Sequence, residues 1–346
     1  MPVTGSSQGQ LAAVSLTDAV EAGLAGQGIA SLSAGVQRLM TAYRSGEVPD
    51  APVMAGRSDV AAYAAYRMPA TAAAVTAALH QAQLAMPVWQ PSSLLDFGAG
   101  TGSVAWAVAH EFPDVAHITM LEQSQYAIRL GQSILAQSGS RVLRSARWDQ
   151  WRLPAGGVQV RDELNGNQLP SADLAAAAYV LGELTQQQQA GLVQLAAATA
   201  PVVLLIEPGT PAGHRRILAA RSALIEAGYG VVAPCPHQLA CPLAVEGDWC
   251  HFGARLQRSA MHRRAKGVEL SYEDEKFSYV AAALTRAAGC DLPPARIVRR
   301  PQQRKGLVTL DLCAGDGASK RELVSKSKGE IYKQARKASW GDRWPG

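Results

Sequence analysis

Two groups of residues in this 346-residue sequence have types and spacings suited to chemistry. The first is Asp96-Phe97-Gly98-Ala99-Gly100-Thr101-Gly102, with Glu122 standing 24 residues after Gly98. Glycines at alternate positions let a backbone approach a ligand closely, and the helix start behind them offers unpaired N–H groups. An acidic residue at the end of the following strand accepts hydrogen bonds from ribose hydroxyls. Taken alone, this turn fits NAD(P), FAD or S-adenosylmethionine (SAM). The second group is Cys235, Cys241 and Cys250, in PCPHQLACPLAVEGDWCHF, with Cys313 following after 62 intervening residues. Three clustered thiols and one distant thiol suit a four-thiolate site closed by a remote strand. Soft thiolates select an iron–sulfur cluster or Zn. The C-x2-C knuckle usual for Zn is missing, and Pro236 and Pro242 directly follow cysteines. The spacing therefore leans towards [4Fe–4S], with Zn and an unligated set as the alternatives. Cys290 has no such neighbours and reads as a buried apolar residue. His237 and His251 are alternative ligands, and read more simply as neighbours of the thiols or as surface residues.

The glycine order is D-x-G-x-G-x-G; the dinucleotide form G-x-G-x-x-G is absent because position 103 is Ser. LDFGAGTG therefore resembles class I SAM-dependent methyltransferases. The candidate cofactor-binding residues are Asp96, Gly98, Gly100, Thr101, Gly102 and Glu122, with Asp149 placed to meet the adenine amine. Trp148 or Trp151 is either a stacking partner for the adenine or a packing aromatic. The methyl-acceptor side is less defined. The Asp/Asn-Pro-Pro-aromatic tetrad of many amino-methylating enzymes is replaced by Tyr179-Val180-Leu181-Gly182-Glu183-Leu184. Tyr179 and Glu183 are the catalytic candidates, and no residue there is marked as a base. Pro234-Cys235 imitates the nucleophile pair of a 5-methylcytosine enzyme, but Cys235 fits the thiol group better.

These residues need a frame. Residues 1–90 read as a helical N-terminal region, frayed over 1–10, with Leu32, Val36, Leu39, Met40 and Tyr43 at helical spacing. Residues 46–56 read as a loop. Asp59 caps the next helix, and Pro69 breaks or restarts it before Thr71–Met86. Tyr66-Arg67-Met68-Pro69 is a candidate for contact with the cofactor. From Ser93 the period changes. Strands are expected at 93–97, 117–121, 141–145, 172–180 and 201–206, with a helix at 214–227 and a polar loop at 155–170. Strands alternating with helices give an α/β, doubly wound, Rossmann-like parallel sheet. Ligands sit at the carboxyl ends of such strands, where Asp96, Glu122, Glu183 and Glu207 fall. The expected parts are 1–90 helical, 91–230 SAM-binding core and 231–346 a cysteine-rich, basic appendage that supplies the remaining sheet strands. Leu310–Gly317 mimics the glycine turn but is followed by a basic strand-like stretch, so it is not a second nucleotide site.

Charge is concentrated at one end. Residues 296–346 hold 13 Lys/Arg and 5 Asp/Glu, which leaves 20 and 23 for the rest of the chain. Such asymmetry points to a polyanionic partner, most simply nucleic acid, with a solvated face as the plainer reading. The candidate RNA contacts are Arg255, Arg258, Arg263, Arg264 and Lys266, and Lys326, Lys328, Lys333, Arg336 and Lys337, with Arg343, Tyr332 and Trp340 beside the second set. No apolar run reaches membrane-spanning length. The first basic residue is Arg38 and no secretory signal is evident. A cytoplasmic, bacterial setting is expected, in which the cysteines stay reduced.

Several separated motifs in order carry a more specific resemblance. AAYRMPAT, LDFGAGTG, PCPH with WCHF, HRRAKG, LSYEDEKFSYVA, LDLC and YKQARKASWGDRW resemble the methyltransferase-like assembly factors of the mitochondrial small ribosomal subunit and their bacterial relatives. The resemblance implies a SAM-methyltransferase core with an inserted [4Fe–4S] site on Cys235, Cys241, Cys250 and Cys313. It implies association with small-subunit rRNA during ribosome maturation, by a chain expected to be monomeric when free. Catalysis and a purely binding role both remain open, and a small-molecule methyltransferase with a Zn site is the third alternative.

Overall fold

The computed structural model describes residues 14–45, 54, 56–154, 169–245, 247–284 and 290–345, without the side chains of 42–45 and 245. The expected fraying at 1–10 lies outside these residues, as do most of the loops expected at 46–56 and 155–170.

Four helices open the chain: α1 (Leu16–Gly23), α2 (Ile29–Ser45), α3 (Arg57–Tyr66) and α4 (Met68–Ala85). Pro69 sits in the first turn of α4, where its missing N–H costs nothing. α4 is alanine-rich and buries ten residues, so small side chains let it lie close against the sheet.

The sheet strands are β1 (Ser93–Phe97), β2 (His117–Glu122), β3 (Arg147–Gln150), β4 (Leu174–Ala178), β5 (Val202–Pro208), β6 (Gly230–Ala233), β7 (Phe252–Gln257) and β8 (Tyr272–Ala283). Their order is β3-β2-β1-β4-β5-β8-β6, with β7 on β8. β1 to β5 are mutually parallel, whereas β8 runs antiparallel to β5, β6 and β7. Helices α5 (Ser103–Glu111), α6 (Gln125–Ala136), α8 (Gln186–Thr199) and α9 (Pro211–Glu226) cross between strands, so the core is a doubly wound α/β sheet. Alternate residues of β1 feed opposite faces. Leu94 joins a core with α4 and α5, while Leu95 and Phe97 join one with α8 and α9. The smaller third core gathers α1, α2 and α3 around Ile134 and Ala265.

One strand expectation fails. Residues 141–145 form a single helical turn, α7 (Arg141–Arg144), that buries only Leu143. The third strand is β3, at the sheet margin and half exposed. An edge strand has one solvated side, so it lacks the apolar run that announces a central strand.

Beyond β6 come the short helices α10 (Pro242–Val245) and α11 (Ala260–Lys266) and then a second, antiparallel sheet. Its strands are β9 (Ala295–Ile297), β10 (Gln302–Arg304), β11 (Leu307–Ala314), β12 (Ser319–Ser325) and β13 (Arg343–Trp344), with α12 (Glu330–Lys337) packed against it. Leu310–Gly317 is the end of β11 and a hairpin turn into β12, closed by the Ala314 N–H on the Ala318 carbonyl at 2.9 Å. It is not a nucleotide loop. No helix among the described residues is long and apolar enough to cross a membrane.

Two contacts fix the sheet at its ends. Asp173 Oδ2 accepts from the N–H and hydroxyl of both Ser92 and Ser93, at 2.6–3.1 Å, and these bonds hold its carboxyl below the usual range. At the other end, Gly213 in the first turn of α9 lies on β5: a Cβ there would stand 2.0 Å from the Pro208 carbonyl oxygen. Backbone cannot give way as a flexible side chain can, so Gly213→Ala is expected to cost about 1–3 kcal/mol. Urea unfolding of the two proteins checks this, and equal midpoints would contradict it.

Candidate functional site

The glycine turn is built as its spacing requires. Gly98, Gly100 and Gly102 all have positive φ, at 69°, 57° and 94°, and Gly102 caps α5. A Cβ on Gly98 would strike Val180 at 2.6 Å, and one on Gly100 would meet Tyr63 at 3.5 Å and Met54 at 3.7 Å. Helix α3 thus brings an aromatic ring to the turn. Glu122 is buried at the end of β2, where Oε2 accepts from the Gly100 N–H at 2.9 Å and Oε1 from the Ser124 N–H at 2.7 Å. Burial raises its pKa against the pull of these bonds.

Asp96 is fully buried, and among the described residues neither carboxylate oxygen has a partner. Burial, and then the charge of Glu122, push its pKa well above the carboxylate range. Thr101 Oγ1 and Ser103 Oγ are likewise buried without partners. Unsatisfied buried polar atoms are uncommon, and here three residues of one turn carry them.

Asp149 stands apart from this group. It registers with Leu121, one residue short of Glu122, which puts it on the opposite face by strand alternation. Its carboxylate is held by Arg147 Nε at 2.9 Å. Trp148 packs on Gly131 beside Thr101, and Trp151 meets Phe97 edge-on at 5.8 Å.

At the end of β4, Tyr179 adopts a φ of 62°. Its hydroxyl donates to Glu275 Oε1 at 2.7 Å. Arg67 clamps the same carboxylate with two bonds, at 2.9 and 3.0 Å, and lies over the Tyr179 ring at 4.9 Å. The Tyr-Arg-Met-Pro stretch therefore reaches a carboxylate of β8. Glu183 follows in a short turn whose Leu181 N–H is held by Glu207 at 3.0 Å. Burial, and then the charges of Glu122 and Glu207, raise the Glu183 carboxyl to about 7.

The four cysteines meet. Cys235, Cys241, Cys250 and Cys313 line one cavity of about 530 Å³ counted to its open mouth. Cys235 follows β6, Cys241 precedes α10, Cys250 precedes β7, and Cys313 lies on β11 of the second sheet. His237 Nε2 is 3.2 Å from Cys313 Sγ, and the Ser278 hydroxyl of β8 donates to the Cys250 carbonyl at 2.7 Å. Burial, and then neighbouring thiols, push the Cys250 thiol well above its ordinary value and Cys313 up to about 12. Among the described residues no three His, Cys, Asp or Glu side chains form a group placed to hold a metal ion. Cys290 is half-buried against the main core, away from this cavity. His251 lies between Trp249, stacked at 5.4 Å, and Trp340, edge-on at 4.8 Å.

The basic residues divide into paired and unpaired sets. Arg255 pairs with Asp274 at 2.7 Å, Arg258 with Glu273 at 2.5 Å, and Lys266 with Glu273. β8 lies beside β7 and supplies these acids, which sequence proximity does not reveal. Arg263 and Arg264 make no ion pair among the described residues. Near the C-terminus Lys326, Lys328, Lys333, Arg336 and Lys337 are all exposed. Lys328 pairs with Glu322 and Lys333 with Glu330, while the other three are in no ion pair among the described residues. Tyr332 packs on the second-sheet core and Trp340 against His251. Arg343 pairs with Asp291 and donates to the Leu84 carbonyl.

Two outcomes follow from the Arg67–Glu275–Tyr179 group and from Glu183. Glu275→Ala removes the carboxylate that Arg67 clamps and is expected to cost about 3 kcal/mol, whereas Tyr179→Phe loses one hydrogen bond and about 1 kcal/mol; urea unfolding ranks the two. For Glu183, the native state binds more protons than the unfolded chain between pH 4.5 and about 7. Its contribution to stability therefore falls as pH rises through that window. Glu183→Gln is expected to flatten this slope in melting temperature, and an unchanged slope would show that another group is responsible.

Comparison with known proteins places the chain. It is 29% identical over 302 residues to the human protein named ribosome assembly protein METTL17, mitochondrial, covering 82% of this chain and 62% of that one. It is 25% identical over 303 residues to the Rsm22-cox11 tandem protein 2, mitochondrial, of Schizosaccharomyces pombe, covering 73% of this chain and 38% of that one. The chain thus spans less than two thirds of either relative. A solved structure of a putative RNA methyltransferase from Pyrococcus horikoshii is similar at 12% identity and a TM-score of 0.40, over 73% of this chain and 98% of that one. The family described as mitochondrial small ribosomal subunit Rsm22 matches residues 57–345, from α3 to the end of the second sheet, and the chain belongs to the Rsm22 family.

Proposed function

We propose that this chain is a SAM-binding, methyltransferase-like factor that acts on small-subunit rRNA in ribosome maturation, and that Cys235, Cys241, Cys250 and Cys313 hold a [4Fe–4S] cluster. The observation that carries the reading is that four thiols far apart in sequence, three from connecting segments and one from β11, line one cavity. A polynuclear cluster takes one thiolate at each iron corner, and four is the number of thiols lining this cavity.

The glycine turn fits SAM by the same kind of test. Asp96, Thr101 and Ser103 present buried polar atoms without partners beside three glycines with positive φ. Asp96 supplies a carboxylate for an ammonium group, and the N-terminus of α5 faces the turn. SAM supplies an electrophilic methyl group when bound. Glu122 holds the turn in shape through Gly100 and Ser124. The family and its relatives' names support the ribosomal assignment, and the exposed cations of the C-terminal segment give phosphates a contact surface.

A second reading, a binding factor that retains the fold without catalysis, is favoured by one observation. The Tyr179 hydroxyl is committed to Glu275 and its ring lies under Arg67, so the end of β4 offers no free base at that residue.

Iron and acid-labile sulfide in anaerobically purified protein test the cluster. About four of each per chain are expected, with both lost in Cys235→Ser; zinc without sulfide would remove the iron–sulfur claim. Calorimetric titration with SAM tests the turn. Binding is expected in the wild type and lost in Gly100→Arg, whose side chain would enter the space beside Tyr63. Transfer of labelled methyl groups to immature 30S-type subunits, present in the wild type and lost in Gly100→Arg, would select the enzyme; SAM binding without transfer would select the binding factor.

A further inference from the structure

The cysteine cavity has a second component. Arg221 of α9 and Arg296 of β9 line it together with the four thiols. They are 5% and 1% exposed, and a cation that far from water requires a counter-charge. Neither forms an ion pair with a carboxylate among the described residues. Arg221 Nη2 donates to the His237 and Leu239 carbonyls, both at 2.9 Å. Arg296 donates to the Pro234 carbonyl at 2.8 Å, to the Gly341 carbonyl at 3.0 Å and to Gln81. Carbonyl dipoles satisfy N–H groups without neutralising a charge. Among the described residues Arg221 Nε and Arg296 Nη2 have no acceptor, while the Arg221 side chain is within hydrogen-bonding reach of the Cys235 thiol. The four thiols line the same cavity as both cations, and thiolates there would supply the missing negative charge.

We propose that Arg221 and Arg296 are charge-compensating positioning residues for an anionic, thiolate-bound cluster in this cavity, and that their charge raises its reduction potential. The inference rests on the cluster reading above. Four thiolates on a dicationic iron–sulfur core leave two negative charges, which two guanidinium groups balance. Reduction adds a further negative charge, and fixed cations favour that state. The same side chains hold the carbonyls of Pro234, His237 and Leu239, which flank Cys235 or lie between Cys235 and Cys241. Charge and loop anchoring are therefore separable roles, and the test must distinguish them.

The experiment is an EPR-monitored redox titration of the full chain, purified anaerobically, with iron and sulfide measured on each sample. The variants are Arg221→Met, Arg221→Lys, Arg296→Met and, as control, Arg215→Met on the exposed side of the same helix. Arg221→Met is expected to move the midpoint potential to more negative values, Arg221→Lys to restore most of that shift, and Arg215→Met to leave the potential at the wild-type value. Should one methionine variant not fold, the other carries the same test. A cluster retained at an unchanged potential in either folded methionine variant would overturn the inference while leaving the cluster reading intact. Equal shifts in Arg221→Met and Arg221→Lys would assign the effect to loop anchoring and also overturn it. Wild-type protein without iron and sulfide would overturn the cluster reading, and this inference with it.

Discussion

β8 is the constraint on which both sites depend. It enters the sheet against the direction of its neighbours, between β5 and β6, and pairs with β7 along its first half. β7 pairs with it over Tyr272–Phe277, β5 over Phe277–Ala283 and β6 over Ala281–Ala283, so its side chains are placed by register. Glu275 is thereby fixed under Arg67 and beside Tyr179, while Ser278 and Tyr279 are fixed at the cysteine cavity. Two residues separate the glutamate of one site from the serine of the other. A slip of one residue would turn each side chain to the opposite face, so both sites share a single register.

The interior is more ionic than its composition announces. Glu207 is fully buried on Arg216, Glu273 gathers Arg258 and Lys266, and Glu275 gathers Arg67 and Tyr179. These groups join the N-terminal helices, the core sheet and the segment between β7 and β8. Breaking one partner of such a group leaves a desolvated charge, which costs more than the intact group contributes. Their value lies in fixing one arrangement of the surrounding elements. Among the described residues Asp96, Arg221 and Arg296 lack this completion, and all three lie at the proposed ligand sites.

The legible parts of the sequence are those governed by local periodicity. β1 and the glycine turn stand where the apolar run and the glycine spacing put them, and the restart of the helix at Pro69 follows from one residue's covalent geometry. The four cysteines were grouped from spacing, and the structure gathers them. What escaped reading is set by contacts across the fold. β3 is polar because it is an edge. Arg255, Arg258 and Lys266 have no acid among them in sequence, yet β8 returns alongside with Glu273 and Asp274. Arg221 did carry a signal: it stands four residues after Ile217 and three before Leu224, on the apolar stripe of α9, where a cation needs a reason to be.

The serine–aspartate clip at the amino end of the sheet has a mechanical meaning. Asp173 ties the starts of β1 and β4 together through four donors. The two strands then run in register only from Leu94 to Asp96, and beyond that point they part, each leading into its own turn. The clip is therefore the fixed datum from which both turns are measured out: Gly98 and Val180 arrive so close together that one added carbon between them would not fit.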